Sequence, residues 1–477
     1  MGTQEDQRHI QRDVDDDAQD RKAREGDGCL PRSAHLRRKY SNGPGHVHAR
    51  ARTAGANRLA VTTLGTPAPI HSRAAAAEQD RGDPLADFRA EFLIGDDAIV
   101  YMDGSSLGRP PARVADALAE VVRVGWSERL IRSWTEGWME LPLALGDQIG
   151  ALLGAAAGQL AVADSTTVCF YKAVSAALDA RPERTEIVTD PGNFPTDRYV
   201  LESLAAERGL RLRWLAPADP TIGPTAEEVA ALAGEQTALV TFTHVDYRSA
   251  AILDMAAITH VAQAAGALSI WDLSHSVGAV PVALDASGAD LAVGCTYKYL
   301  CGGPGSPAFI YVRRELQDTL RQPIWGWLGR RDPFRMDPGY EPTAGIRAFL
   351  SGTPPILALH ALAPGLELVA RAGIERIRAK GIALTELAIA LADAWLAEHG
   401  VTVASPRDAM IRGAHVALAH PDAAALCLQL AQRGVLADYR APDVVRVGLS
   451  PLSTRFVEVW DGLSALREVL AAQSGAH

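Results

Sequence analysis

Residues 271–300 read WDLSHSVGAVPVALDASGADLAVGCTYKYL. Asp272 closes a short apolar run, Ala267–Trp271. Twenty-six residues later, Lys298 follows a second apolar run, Ala289–Gly294. Both runs are continuously hydrophobic, the pattern of parallel strands buried on both faces. The segment therefore predicts a β-α-β unit that carries an acid and a lysine at the ends of neighbouring strands.

Those two groups are what pyridoxal phosphate (PLP) requires. The lysine joins the aldehyde as a Schiff base. The acid pairs with the pyridine nitrogen and keeps it protonated, so the ring draws electrons from a bound amino acid. The choice of lysine is narrow, because the chain holds only Lys22, Lys39, Lys172, Lys298 and Lys380. Lys22 and Lys39 lie in a polar tail. Lys172 follows Tyr171 in a helical stretch, and Lys380, after Arg376 and Arg378, is expected to be solvated. Lys298 alone ends a strand-like run and precedes a glycine-rich loop, Gly302, Gly303 and Gly305. No GK[ST] follows, so that loop is not a Walker motif.

Composition is consistent with an enzyme acting on a small molecule. The chain has 477 residues, 48% hydrophobic and 22% charged, which suits a globular protein with a large core. A formal net charge of −10 speaks against nucleic acid as the main partner. The sequence has neither a membrane-length apolar stretch nor an apolar leader. Its five cysteines, Cys29, Cys169, Cys295, Cys301 and Cys427, form no CxxC pair. A cytoplasmic location is expected, with no metal site.

Outward from the central unit, strands and helices alternate. Thr185–Thr189, Leu210–Leu215, Ala238–Thr243 and Ala308–Val312 are strand-like. Phe194–Asp197 leads into a helix through Glu207, and Met255–Ala265 is helical. This rhythm predicts an α/β domain with a mainly parallel sheet and helices on both faces. Ligands of such sheets bind at the carboxyl ends of the strands. Asp197, Thr243, Asp272 and Lys298 all fall at strand ends or just beyond them.

Upstream, Ile99–Met102 is strand-like and leads into a turn-rich loop, Asp103–Gly108. Pro110-Pro111 opens a helix through about Arg123, Ser133-Trp134 and Gly137-Trp138 form an aromatic loop, and Leu143–Gly154 is helical. Residues 1–80 lack apolar periodicity and read as a disordered tail. Alternatively the start codon is misassigned and Val61 is the natural first residue. His46–His48 has no further ligands at metal-site spacing. Downstream, Pro323–Pro338 is irregular and aromatic, and Phe349–Pro355 is a hinge. Helices Ile356–Ala370 and Ile374–Glu398 then precede an α+β tail with strands near Val401, His415 and Val445. The expected division is a tail over 1–80, a large domain over 81–354 and a smaller one over 355–477.

Three features read two ways. Ser165, Thr166 and Thr167, before the helical run Val168–Ala180, are either caps or an anion site at a helix N-terminus. The Asp272–His275 pair is either loop structure or chemistry. Arg446, in apolar surroundings, needs a partner. That partner is either a carboxylate of the protein or the α-carboxylate of an amino-acid substrate, with Arg440 as the competing residue.

The segments YMDGSSLGRPP, SWTEGWMELP, DSTTVCFYK, FPTDRYV, HVDYRS, WDLSHSVGAVPV, CTYKYLCGGPGSPAF, GWLGRRDPF, FLSGTPPI and DYRAPDVVRVGLSPL occur in this order. From about residue 85 to 470 the chain resembles the bacterial kynureninases, PLP enzymes of fold type I. The resemblance implies a large domain with a mainly parallel seven-stranded sheet flanked by helices, a smaller C-terminal α+β domain, and a homodimer with shared active sites. It implies hydrolysis of the Cβ–Cγ bond of L-kynurenine or 3-hydroxykynurenine to L-alanine and the corresponding anthranilate, a step of tryptophan catabolism. The alternatives are a class V aminotransferase, a desulfurase-like enzyme, or a paralogue acting on a modified kynurenine.

By the same resemblance, Lys298 is the Schiff-base lysine and α-proton base, Asp272 the pyridinium partner, and Tyr297 a proton donor near the phosphate. Thr166 and Thr167 match phosphate-site positions. Phe194, Pro195, Thr196 and Asp197 match the segment under and beside the ring. Thr243 and His275 match further cofactor contacts, and Trp327 and Thr353 positions that reach the cofactor from the neighbouring subunit. Arg446 and Ser106 fall to the substrate. The chain departs from the family pattern at Ser105, Ser249, Ala250, Arg330 and Ser453.

Overall fold

The computed structural model describes residues 72–474. Asp13–Asp17, Arg37–Lys39, His46–His48 and Val61 lie outside the described residues. The first elements are α1 (Arg73–Arg81), β1 (Val100–Tyr101), α2 (Val114–Glu120) and α3 (Leu141–Leu152). Helix α1 corrects the expected tail, which does not extend to residue 80. Ser72 Oγ caps it by accepting from Ala75 N at 3.2 Å. Arg73 holds Asp461 through two bonds of 2.7 and 2.9 Å, and the Asp80 carboxylate accepts from Phe456 N at 2.7 Å and Val457 N at 3.1 Å. Only Ala76 of this helix is buried. Its anchors are polar and distant in sequence, so no local apolar pattern reveals it. The helix expected from Pro110 begins later, at Val114, and widens past Glu120 into a π-type turn through Arg129. β-Branched Val121, Val122 and Val124 and then Gly125 weaken α-helical continuation there.

The central sheet comprises β2 (Leu160–Ala163), β3 (Glu186–Thr189), β4 (Arg211–Trp214), β5 (Thr237–Thr243), β6 (Leu268–Asp272), β7 (Leu291–Gly294) and β8 (Ala308–Val312). Its seven strands lie in the order β2-β8-β7-β6-β5-β3-β4. Strand β8 pairs antiparallel with β7 and β2, whereas the other neighbours pair in parallel. The sheet is thus mainly parallel with one reversed strand. Between the strands run α4 (Thr166–Asp179), α5 (Pro195–Arg208), α6 (Ala226–Leu232), α7 (Met255–Ala264) and the single turn α8 (Leu284–Ser287). Strand β2 and helix α6 are additions to the sequence reading. Both are short, and β2 is an Ala-rich quartet without a periodic signature.

Alternate residues of each central strand enter opposite layers. Val240, Phe242, Trp271 and Phe309 pack with α7 on one face, and Leu239, Ile270, Leu291 and Ile310 pack with α4 on the other. Each such fully buried side chain contributes roughly 1.5–3 kcal/mol. The Trp271 indole N–H is satisfied by Thr259 Oγ1 at 3.0 Å.

After the hinge come α9 (Ile356–Ala372), α10 (Ile374–Trp395), β9 (Thr402–Val403), β10 (His415–Ala419), α11 (Ala423–Gln432), β11 (Val435–Leu436), β12 (Asp438–Arg440), β13 (Val444–Gly448) and α12 (Phe456–Ser474). Strands β12-β13-β10-β9 form an antiparallel sheet with its own apolar core. Strand β1 pairs in parallel with β11, which ties the N-terminal segment to the C-terminal domain. Lys380 is not solvated as expected. It is buried in α10, with Nζ 2.6 Å from buried Asp83. Among the described residues, no single helix is long and apolar enough to cross a membrane, and the α9–α10 pair bends by 85°.

Candidate active site

Because β2, β3, β5, β6 and β7 run the same way, their carboxyl ends converge on one edge of the sheet. A cavity of ≈ 290 Å³ opens there. Ser165, Thr166 and Thr167 line it from the start of α4, Phe194, Thr196 and Asp197 from the start of α5, and Thr243 from the end of β5. Asp272, Ser274 and His275 line it from β6 and its loop, and Tyr297 and Lys298 from the loop after β7. Tyr247 completes the wall.

Local structure fixes each group. Ser165 Oγ caps α4 by accepting from Val168 N at 3.4 Å, and Ser165, Thr166 and Thr167 bring this helix N-terminus, an end that favours an anion, to the cavity wall. Asn193 Oδ1 accepts from Phe194 N at 2.8 Å and from Thr243 Oγ1 at 2.5 Å, which sets the Phe194 ring edge-on to Tyr247 at 5.4 Å. Strand register places Thr243 beside Asp272 and Asp272 beside Val293. Asp272 Oδ1 accepts from Ser274 N at 2.7 Å.

The lysine loop is clamped from two sides. Gly108 N donates to Tyr297 O at 2.9 Å, and a Cβ at Gly108 would meet Lys298 O at 2.2 Å. A Cβ at Gly365 in α9 would meet Leu300 O at 2.0 Å. Both approaches need glycine.

Lys298 Nζ lies 3.0 Å from His275 Nε2, which also lies 3.2 Å from Ser105 O. The imidazole is buried, and burial holds its pKa well below the usual range. It is therefore neutral, and its tautomer decides which of the two contacts is made. Burial also lowers the Lys298 ammonium pKa, favouring the free amine. Burial raises the Asp197 and Asp272 carboxyls, and the Asp272 charge raises Asp197 further. Asp197 Oδ2 is buried and has no partner.

Some expected residues stand elsewhere. Pro195 occupies the first turn of α5. Trp327 Nε1 donates to Thr353 Oγ1 at 3.4 Å, and neither residue lines the cavity. Arg446 and Ser106 form an adjoining cluster joined to the cavity through Tyr247, whose carbonyl accepts from Arg446 Nη1 at 2.8 Å. The protein-carboxylate alternative for Arg446 is realised in Asp438, with Oδ2 at 2.5 Å. Tyr247 and Ser274 were not singled out in the sequence, whereas Ser165 was read as either a cap or part of an anion site. For Ser274 the available signal was its position just after β6.

These residues suit PLP. A buried lysine whose free amine is favoured by burial suits the aldehyde, a buried carboxyl pair including the orphaned Asp197 Oδ2 suits a pyridine N–H, and a capped helix N-terminus suits a phosphate. Fold and site together define the class of fold-type-I PLP enzymes. The fold is shared with the apo cysteine desulfurase of Thermococcus onnurineus NA1, with a TM-score of 0.69, 20% identity, and coverage of 83% of this chain and 98% of that one. It is also shared with a C-DES mutant carrying glycine covalently linked to its PLP cofactor, with a TM-score of 0.70, 17% identity, and coverage of 80% and 99%.

Sequence comparison then narrows the class. Residues 377–466 match the kynureninase C-terminal domain. The kynureninase of Pseudomonas fluorescens is 43% identical over 406 residues, covering 83% of this chain and 95% of that protein. That of Burkholderia pseudomallei (strain 1106a) is 42% identical over 412 residues, covering 85% and 97%. The chain belongs to the kynureninase family.

Proposed function

We propose that the protein is a PLP-dependent hydrolase that cleaves the Cβ–Cγ bond of L-kynurenine, or of its 3-hydroxy form, with one water, releasing L-alanine and the corresponding anthranilate. The observation that carries this reading is the buried Lys298 amine at a strand end, 3.0 Å from His275, with Asp272 on the next strand, in a chain of this family.

When bound, PLP supplies an electron sink for negative charge developing on the substrate carbons. Thr166 and Thr167 at the start of α4 would hold the phosphate, and Phe194 would lie beside the ring. Asp272 would accept the pyridine N–H, with Asp197 beside it. Thr243 and His275 would add further cofactor contacts, with His275 beside the lysine amine. Lys298 removes the Cα proton as general base, and Tyr297 delivers a proton to Cβ after water has added to the γ-carbonyl. Burial raises the Tyr297 phenol pKa, so it holds the proton it must donate. Arg446, with Ser106 beside it, receives the α-carboxylate.

A homodimer with shared sites belongs to the same proposal. Trp126, Ile131, Trp325, Phe334 and Met336 are exposed apolar side chains, and Phe334 packs against Trp327, whose ring also meets that of Trp134. Trp327 and Thr353 would complete the partner's cavity. A cytoplasmic location is supported by Cys169, Cys295, Cys301 and Cys427, all free thiols. The hinge at 349–355 is taken as the boundary of the C-terminal domain.

Purified, PLP-loaded protein given L-kynurenine is expected to form anthranilate and L-alanine in equal amounts, read by chromatography. A keto acid formed without anthranilate would favour an aminotransferase instead.

A further inference from the structure

Strand β12 pairs with β13 so that Asp438 stands opposite Arg446. Register alone therefore sets an acid against the buried guanidinium. Arg440, two residues on, faces the same way. Asp438 Oδ2 accepts from Arg446 Nη2 at 2.5 Å and lies 2.6 Å from Arg440 Nη2. Ser106 Oγ donates to that oxygen at 3.2 Å and accepts from Arg446 Nη2 at 2.7 Å and Arg440 Nη2 at 3.2 Å. Asp103 Oδ1 faces the same Arg446 Nη2 from 3.7 Å.

Two donors in this cluster are unmet. The Nε–H of Arg446 and the Nε–H of Arg440 are both buried without a partner. An arginine grips a carboxylate most strongly through two parallel N–H···O bonds. Here one oxygen of Asp438 takes Nη2 of both arginines and leaves both Nε–H groups idle, so it fills half of each fork. A buried donor left unmet is costly, and a second carboxylate would relieve it.

We propose that Asp438 is an internal counter-carboxylate. It holds Arg446 and Arg440 together in the ligand-free protein and withdraws to Arg440 when the substrate carboxylate takes the Nε/Nη2 fork of Arg446. Asp438 is thus a positioning residue whose charge competes with the ligand. The exchange keeps each arginine paired at every stage, which avoids an uncompensated buried cation. The choice of ligand rests on the kynurenine-cleaving reading.

The signs of the expected effects follow. Asp438→Asn keeps the shape and one acceptor but removes the competing charge, so a ligand carboxylate gains more. Arg440→Gln removes the place to which Asp438 withdraws, so the ligand gains less. The test uses PLP-loaded wild type, both single variants and the double variant. It measures KM and kcat for L-kynurenine and the inhibition constants of L-alanine and of L-alanine methyl ester, which lacks the carboxylate.

Asp438→Asn should lower KM and the L-alanine constant about fivefold, and Arg440→Gln should raise them by a similar factor. The double variant should match Asp438→Asn, because with no competing charge Arg440 has nothing to receive, and kcat and the ester constant should stay unchanged. A raised KM in Asp438→Asn, or an equal shift with the ester, overturns the proposal. If Asp438→Asn does not fold, an unchanged KM in Arg440→Gln, whose side chain is partly exposed, overturns it as well. Wild type that fails to cleave L-kynurenine refutes the functional reading instead, a result distinct from any of these.

Discussion

Two buried carboxyls, Asp197 and Asp272, share the cavity with one buried amine. Asp272 is fixed by Ser274 N and is the group proposed to hold the pyridine proton. Asp272→Asn should lower kcat on the order of 10²-fold, as expected for loss of a proton-holding group, while PLP stays bound, measured as retained cofactor absorbance beside the turnover rate. A second cavity, of ≈ 330 Å³, shares Thr243 with the first and is lined by Asp190 and Asp246. Burial, then the Asp246 charge, pushes the Asp190 carboxyl up to about 7 from 3.8. The folded chain therefore binds this proton more tightly than the unfolded chain, and stability falls as pH rises through that window. Asp190→Asn should raise the melting temperature most above pH 7, with the gain vanishing below about pH 4. A gain independent of pH would contradict this.

The shared placement of Asp272 and Lys298 in one cavity was legible because a strand-end acid and a strand-end lysine are local features of sequence. Tyr247 and Asp438 were not legible in this way. Asp438 depends on which residue lies across from it, and strand register is set by the whole sheet, while Tyr247 sits in the loop after β5 and is placed by tertiary packing.

At the level of elements, the lysine loop is positioned by backbone contact. Gly365→Ala would press α9 into Leu300 O. It should cost about 1–3 kcal/mol of stability as overpacking and slow turnover, read from denaturant melts and kcat. Wild-type stability and activity would show that α9 does not clamp the loop. Asp80 in α1 accepts from the first N–H groups of α12. Asp80→Ala should then cost about 0.5–2 kcal/mol, the usual loss of a helix cap, in the same melts. The long central elements were predictable because continuous apolar runs and period-3.6 faces mark them. Helix α1 and strands β2 and β11 are short, and tertiary partners far along the chain hold them in place.

For the whole molecule, one chain supplies a cavity whose expected outer residues, Trp327 and Thr353, do not reach it. If each site borrows them from a second copy, mixing inactive Lys298→Ala with a weakened Thr353→Ala variant should restore activity above either alone, because hybrid dimers carry one intact site. Activity that only averages the two would contradict shared sites. Fold class and the parallel sheet were legible from the alternation of strands and helices. The reversed β8 was not, because the Gly-rich loop after Lys298 turns the chain without a crossover helix and leaves no periodic mark.

The central claim is that the chain is built around Lys298. Lys172 is committed to Asp164 at 2.5 Å and Lys380 to Asp83 at 2.6 Å, so neither is a free amine. Borohydride treatment of the PLP-loaded protein, followed by digestion and mass spectrometry, should find one stable pyridoxyl group, on Lys298. A label on Lys172 or Lys380, or no label at all, would contradict the account.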